Sequence, residues 1–144
     1  MARRKDKKEQ KKVMREDIPT GNSAEDIRAR ARIIGDFYAK WIACNPEKKL
    51  WNTSLRDYIH VKYSSINETK GHAALSLEST RAVLSLTAIL KRAVVVNIKK
   101  PKTNDRNQKC FDKMVIMSYR KTQLLVGHQT NKNQYVQYCI TQKK

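Results

Sequence analysis

The sequence has few of the residues that mark special structural classes. Of its 144 residues, three are cysteine, three are proline and four are glycine. Cys44, Cys110 and Cys139 form no C-x-x-C motif and no Cys/His ligand spacing, which argues against a disulfide framework and against structural zinc. A Walker loop, a dinucleotide-binding fingerprint and a G-x-S-x-G elbow are also missing. We therefore expect reduced thiols, no metal and no cofactor.

Long hydrophobic runs are missing as well. Even the apolar stretch at 82–90 is interrupted by Ser85 and Thr87, whereas a membrane span needs about 20 apolar residues. The basic N-terminal residues are not followed by the apolar stretch of a secretory signal. These absences predict a cytoplasmic protein with no membrane-spanning segment.

What the sequence has in excess is positive charge. It contains 31 Lys and Arg against 13 Asp and Glu, a net charge of +18. Residues 91–144 alone hold 13 basic and 2 acidic residues, or +11. Such a field attracts polyanions, and nucleic acid is the commonest polyanion in a cytoplasm. An acidic protein, an anionic membrane surface, or charge that serves only solubility remain as alternatives.

Charge and periodicity divide the chain into an arm and one domain. Residues 1–17 are basic and lack an apolar face, so we expect an arm that is disordered or forms a loose helix. Residues 18–144 are long enough for one compact core. Apolar spacings of three and four predict helices over 23–92, and β-branched or alternating runs predict strands over 93–141.

Local signals refine the helical half. Ser23, with Asp26 three residues later, forms a start that resembles a capping box ahead of the first helix. The stretch WNTSLRDYIHVKY is predicted to begin another helix at Asn52 or Thr53. Ser65 and Glu68 form a second S-x-x-E pattern that opens the stretch containing His72, and Ser76 to Ser79 offers another helix start. His72 itself is expected at a helix entrance.

Four short strands are expected in the C-terminal half. Their sequences are AVVVNI, KMVIMSY, QLLVGHQ and QYVQYCIT, and HQTNKNQ supplies a hairpin turn between the last two. The predicted fold class is α+β, with N-terminal helices packed on one face of a C-terminal antiparallel sheet of about four strands. The basic face of the sheet is expected to stay open.

Three segments carry a resemblance to a known group of enzymes. They are GHAALSLESTRAVLSLTAILKRAVVV, MVIMSYR and YVQYCIT. From about Leu55 to Thr141, about three-fifths of the chain, the order of elements resembles the RNase superfamily of barnase, EndoU, RelE and colicin-type tRNases, particularly its phage- and mobile-element-associated members. The resemblance implies metal-independent cleavage of RNA by transphosphorylation, by a toxin or mobile-element effector that pairs with an acidic inhibitor protein.

The same resemblance implies a set of catalytic residues. His72, expected at a helix start, matches the histidine that handles the proton. Thr141 matches the polar residue of the last strand, and Arg120, with Lys113 as second choice, matches the strand cations. His128 is a second imidazole without a secure counterpart. Because the sheet half contains no glutamate, a histidine must replace the glutamate base of barnase. We expect His72 and Arg120 to face each other across a polar cleft.

Two functions stay open at this point, a ribonuclease and a non-catalytic basic module that binds RNA or packaged DNA. The residues expected to contact nucleic acid are Lys70, Lys99, Lys100, Lys102, Lys113, Lys121 and Tyr138. Sheet faces with Tyr and Lys stack single-stranded bases, which favours RNA over DNA. Each candidate also has an ordinary interpretation, since a lone histidine beside glycine and a lysine-rich loop are common on protein surfaces.

Overall fold

The computed structural model describes residues 18–103 and 105–142, so the arm expected at 1–17 lies outside the described residues. Four helices and six strands are present in the described part of the chain. In chain order they are α1 (Ala24–Cys44), β1 (Lys49–Asn52), β2 (Asp57–His60), α2 (Tyr63–Ala73), α3 (Leu77–Val83), α4 (Leu86–Arg92), β3 (Val94–Lys99), a 3-10 turn (Arg106–Gln108), β4 (Phe111–Tyr119), β5 (Thr122–Gln129) and β6 (Gln134–Gln142). The predicted α+β class is confirmed.

The strands form one sheet with the order β1-β2-β6-β5-β4-β3. Neighbouring strands are antiparallel except β2 and β6, which are parallel, with Ile59 opposite Tyr135. The expected count of about four strands is therefore wrong. The two additional strands come from residues 49–60, which were predicted to belong to the helical half.

The segment that was predicted to begin a helix at Asn52 or Thr53 forms the β1–β2 hairpin instead. Asn52 is fully buried, and its Nδ2 donates to the carbonyl oxygens of Leu90 at 2.8 Å and Ala93 at 3.0 Å. Its Oδ1 accepts from the backbone N–H of Leu55 at 2.8 Å. These bonds fix the end of the hairpin to the junction of α4 and β3. They link residues 38 and 41 positions apart, so local periodicity could not reveal them.

The main apolar core is formed jointly by residues of the sheet and of the helices. Along α1, Ile34, Tyr38 and Trp41 are buried at spacings of four and three, the pattern of a helix with one buried face. The Ser23 hydroxyl accepts from the backbone N–H of Asp26 at 3.1 Å, which confirms the predicted helix start. The sheet contributes Val115, Met117, Leu124, Val126 and Ile140.

The opposite face of the sheet is not as open as expected. A second buried cluster lies there, formed by Phe111, Met114, Val136, Tyr138 and Cys139. Gly127 allows this packing, because a Cβ at that position would stand 2.5 Å from carbon atoms of the Phe111 ring. The Tyr138 hydroxyl donates to Asp105 in the connection before β4 at 3.2 Å. The lysine-rich connection between β3 and β4 therefore folds back over part of the face that was expected to be free.

Candidate nucleic-acid interface

A basic cavity lies between the α3–α4 pair and the turn that joins β4 to β5. Its volume is about 400 Å³. The polar residues that line it are Arg81, Ser85, Tyr119, Arg120, Lys121, Thr122 and Gln142. Three of these side chains are cationic, and no carboxylate is among the described residues that line the cavity. We refer to it below as the basic cavity.

Three elements bring the cations of the basic cavity together. Tyr119 pairs with Thr122, so Arg120 and Lys121 form a two-residue turn, and Arg120 has a φ of 55°. The Arg120 guanidinium lies 5.4 Å from the centroid of the Tyr119 ring. Arg81 comes from the last turn of α3.

The position of α3 is fixed by the end of β6, because the Ser79 hydroxyl accepts from the backbone N–H of Gln142 at 2.9 Å. Arg81, Arg120 and Lys121 are all exposed, so their charged groups are accessible to a bound anion.

His72 lies in the last turn of α2, so its predicted position at a helix start is wrong. The helix begins at Tyr63, earlier than expected, where the Ser65 hydroxyl accepts from the backbone N–H of Lys62 at 2.9 Å. The His72 side chain is 53% exposed, and its Nε2 lies 3.3 Å from Oε2 of Glu68, four residues earlier on the helix. His72 does not line the basic cavity, in which Arg120 takes part.

Glu68 lies between His72 and Tyr138 of β6. Its side chain is only 12% exposed. Burial raises the pKa of the Tyr138 hydroxyl, and the nearby carboxylates of Glu68 and Asp105 raise it further. A carboxylate–imidazole pair therefore lies close to the phenol of Tyr138 on β6.

Tyr138 itself cannot serve as a base-stacking residue. It is only 4% exposed, and its ring packs edge-on against Phe111 with centroids 6.1 Å apart. The register shifts between Leu125 and Val126, which pair with Cys139 and Gln137, so Tyr138 is the extra residue of a bulge. The predicted contact between Tyr138 and nucleic acid is therefore wrong, because the ring is buried and cannot stack on a base.

His128 is held inside the β5–β6 hairpin. Its Nδ1 lies 2.9 Å from Oδ1 of Asp112, and its Nε2 lies 2.9 Å from Oδ1 of Asn133. The Thr130 hydroxyl donates to the other Asp112 oxygen at 2.7 Å, and the imidazole lies against the Tyr135 ring. Both ring nitrogens of His128 are thus occupied by neighbouring side chains, which favours a structural role for this residue.

The Asp112 contacts predict a pH dependence. The hydrogen bond from Thr130, followed by the contact with His128, holds the pKa of Asp112 below its usual range. A lowered pKa in the folded state contributes stability above the unfolded value of about 3.9, and this contribution is lost as the pH falls through the folded value. Asp112→Asn should therefore weaken the hairpin at neutral pH, and the difference from the native protein should shrink below about pH 4.

Amide hydrogen exchange in the β5–β6 hairpin, measured across this pH range, checks the expectation. Asp36→Asn, at an exposed position of α1, is the control. A difference between the native protein and Asp112→Asn that stayed constant down to pH 2 would contradict a role for the ionised carboxylate.

The remaining predicted contact residues are spread over the molecule. Lys99, Lys100 and Lys102 are exposed, while Thr141 is half-buried on β6 opposite Gln123. Two further lysines are half-buried. Lys70 runs alongside Gly35 of α1, and the Nζ of Lys113 lies 5.8 Å from the ring centroid of Tyr135.

Of the predicted residues, only Arg120 and Lys121 line the basic cavity. Arg81 was not predicted from the sequence, because it reaches the cavity only through the packing of α3. The proximity of Glu68 to His72 was not predicted either, although their spacing of four residues on a helix is a usable signal.

Comparison with protein-family models, with curated proteins and with solved structures finds no match for this chain. No helix in the described part of the chain is long and apolar enough to cross a membrane. Within the same residues, no group of three His, Cys, Asp or Glu side chains is placed to hold a metal ion.

Proposed function

We propose that this protein is a basic module that binds single-stranded nucleic acid, RNA in preference to DNA. The basic cavity carries the proposal. Arg81, Arg120 and Lys121 surround a space of about 400 Å³ whose described lining contains no carboxylate. Guanidinium and ammonium groups are the side chains that bind phosphate best, and here no anion of the lining competes for them.

The composition of the chain supports the same partner. Its net charge of +18 attracts a polyanion over distances longer than any single contact, and release of counterions then favours binding at ordinary salt. Ser85, Thr122 and Gln142 add neutral hydrogen-bonding groups beside the cations. Such groups can pair with a ribose 2′-hydroxyl, the group by which proteins distinguish RNA from DNA.

Binding of a labelled RNA oligonucleotide at several salt concentrations tests the proposal. The triple variant Arg81→Ala, Arg120→Ala and Lys121→Ala should bind at least about tenfold more weakly, and the slope of log affinity against log salt should fall by about 1 for each phosphate contact that is lost.

The matched control removes three exposed cations from α1 with Arg28→Ala, Arg32→Ala and Lys40→Ala. Both triple variants lower the net charge by the same amount, so a general loss of attraction affects them equally. If the two variants bind RNA with the same affinity and slope, the basic cavity is not the binding site.

A metal-independent ribonuclease is the second candidate, and the contact of His72 with Glu68 favours it. Cleavage by transphosphorylation needs a base at the 2′-hydroxyl and an acid at the leaving 5′-oxygen, and a carboxylate and an imidazole can fill these roles. Glu68, on α2, supplies a glutamate that the sheet half lacks. Incubation of the full chain with mixed RNA in EDTA tests this candidate, with fragments ending in a 2′,3′-cyclic phosphate as the expected product.

A further inference from the structure

The β1–β2 hairpin presents two large aromatic rings to solvent. Trp51 is 47% exposed and Tyr58 is 40% exposed. The two residues are directly opposite each other across the strands. Their ring centroids lie 5.3 Å apart with an interplanar angle of 80°. Trp51 and Tyr58 are called the aromatic pair below.

The hairpin that carries the aromatic pair is anchored to the rest of the fold by packing and hydrogen bonds. The neighbouring residues Leu50 and Ile59 point to the other side and pack in the main core. β2 is joined to β6, and Asn52 ties the end of the hairpin to α4 and β3. The protein would therefore lose little conformational entropy when a ligand stacks on these rings, and this lowers the free-energy cost of binding.

Two lysines, Lys49 and Lys62, lie in or beside the hairpin that carries the aromatic pair, together with the carboxylate of Asp57. The Nζ of Lys49 lies 4.6 Å from the centroid of the Tyr58 ring. His60 is paired with Lys49, and its pKa is lowered by burial and by the nearby charges of Lys49 and Lys62. An apolar protein surface would gain little from these cations, whereas a phosphodiester strand would pair its phosphates with them while its bases meet the rings.

From this arrangement we propose that the aromatic pair is a stacking site for the unpaired bases of a single-stranded nucleic acid, an inference that rests on the proposed function. Trp51 offers the freer ring, because Lys49 already lies over Tyr58. A duplex keeps its bases stacked inside, so only a single strand offers base faces to Trp51. The basic cavity binds phosphates in this scheme, and the hairpin adds the preference for single strands.

A purely structural role of the aromatic pair predicts a different result. Aromatic residues that face each other across two strands stabilise hairpins without any ligand. In that case, removing a ring would lower the thermal midpoint of unfolding and leave RNA affinity unchanged. Stability and affinity must therefore be measured on the same variants.

Tryptophan fluorescence gives a direct test, because the chain has two tryptophans in different environments. Trp41 is 6% exposed and donates its Nε1–H to Thr87, so a ligand in solution reaches Trp51 and not Trp41. Addition of single-stranded RNA to the native protein should quench the emission of Trp51. A duplex of equal length, or inorganic polyphosphate, should quench much less. Trp51→Phe should abolish the quenching by single-stranded RNA.

The affinity measurement is the second part of the test. Trp51→Ala should weaken binding of single-stranded RNA by roughly 5- to 150-fold, the range for loss of one base-stacking ring, and should affect duplex binding little. Trp51→Phe keeps a ring and should bind nearly as well as the native protein. Tyr63→Ala removes a 77% exposed ring outside the hairpin and is the control.

The outcomes separate this inference from the proposed function. If the native protein binds no RNA, both fail. If RNA binding depends on the basic cavity but neither quenches Trp51 nor weakens in Trp51→Ala, the stacking site is wrong and the proposed function stands. If Trp51→Ala does not fold, the quenching of the native protein and its loss in Trp51→Phe decide the matter. A lower thermal midpoint with unchanged affinity assigns the aromatic pair to hairpin stability alone and overturns the inference.

Discussion

Replacement of Arg30 by methionine should lower the free energy of unfolding by about 3 kcal/mol or more. Arg30 lies on α1 and is fully buried. Its Nε donates to the carbonyl oxygen of Ala74 at 2.7 Å, and its Nη1 donates to those of Pro19 at 2.8 Å and Gly21 at 2.7 Å. One side chain thus holds the segment before α1 and the junction of α2 and α3 together.

Two opposing effects decide the sign of this change. Burial of a guanidinium is costly, and Nη2 of Arg30 has no hydrogen-bond partner in the described part of the chain, so its removal returns some free energy. Against this, methionine would leave three carbonyl groups without their donor, at about 1 to 3 kcal/mol for each one that stays buried. The carbonyl groups belong to the backbone and remain in the variant. The free energy lost when they have no donor therefore exceeds the free energy returned by removing the buried guanidinium.

Urea denaturation followed by circular dichroism measures the effect. Arg28→Met and Arg32→Met change exposed residues of the same helix and should stay within about 0.5 kcal/mol of the native protein. Arg30→Lys should restore only part of the stability, because a single ammonium group cannot reproduce the fork geometry of the guanidinium. An Arg30→Met variant as stable as these controls would show that water replaces the lost donor.

The elements that the sequence predicted correctly are those whose patterns are long and local. The helix after Ser23 repeats its apolar spacing over 21 residues and begins with a capping side chain. The strands β4, β5 and β6 have eight or nine residues each, long enough for their apolar character to be recognised. Both kinds of signal lie within the element itself, so no knowledge of the tertiary structure was needed.

The β1–β2 hairpin could not be predicted in the same way. Each of its strands has four residues, and Leu55, Tyr58 and Ile59 fit a helical spacing as well as a short strand. The contacts of Asn52 with Leu90 and Ala93 favour the hairpin, and they exist only in the folded chain. The same limit applies to Arg30, since an arginine in an amphipathic helix is expected on its polar side.

The candidate site shows a similar division. Arg120 and Lys121 follow a strand and precede another, so a turn rich in positive charge was visible in the sequence. The approach of Arg81 to that turn depends on the packing of α3 against β6. The placement of His72 was wrong because α2 ends at Ala73 and α3 begins at Leu77, so the histidine closes one helix instead of opening the next.

If the chain cleaves RNA, replacement of His72 by alanine should reduce the rate in EDTA on the order of a hundredfold or more. The imidazole is exposed and can reach a bound strand, and Glu68 at 3.3 Å can orient it or share its proton. Glu68→Gln keeps the size of the side chain but removes its charge, so it should also slow cleavage.

Both variants should bind RNA nearly as well as the native protein, because the phosphate contacts of the basic cavity come from other residues. Asn67→Ala is the matched control, since it removes an exposed polar side chain from the same helix and should leave the cleavage rate unchanged. Cleavage rates and binding affinities measured on the same preparations separate a chemical role of His72 from a binding role. Absence of cleavage by the native protein, or equal rates for native protein and His72→Ala, would remove the ribonuclease candidate and leave the binding module, whose cavity does not depend on this histidine.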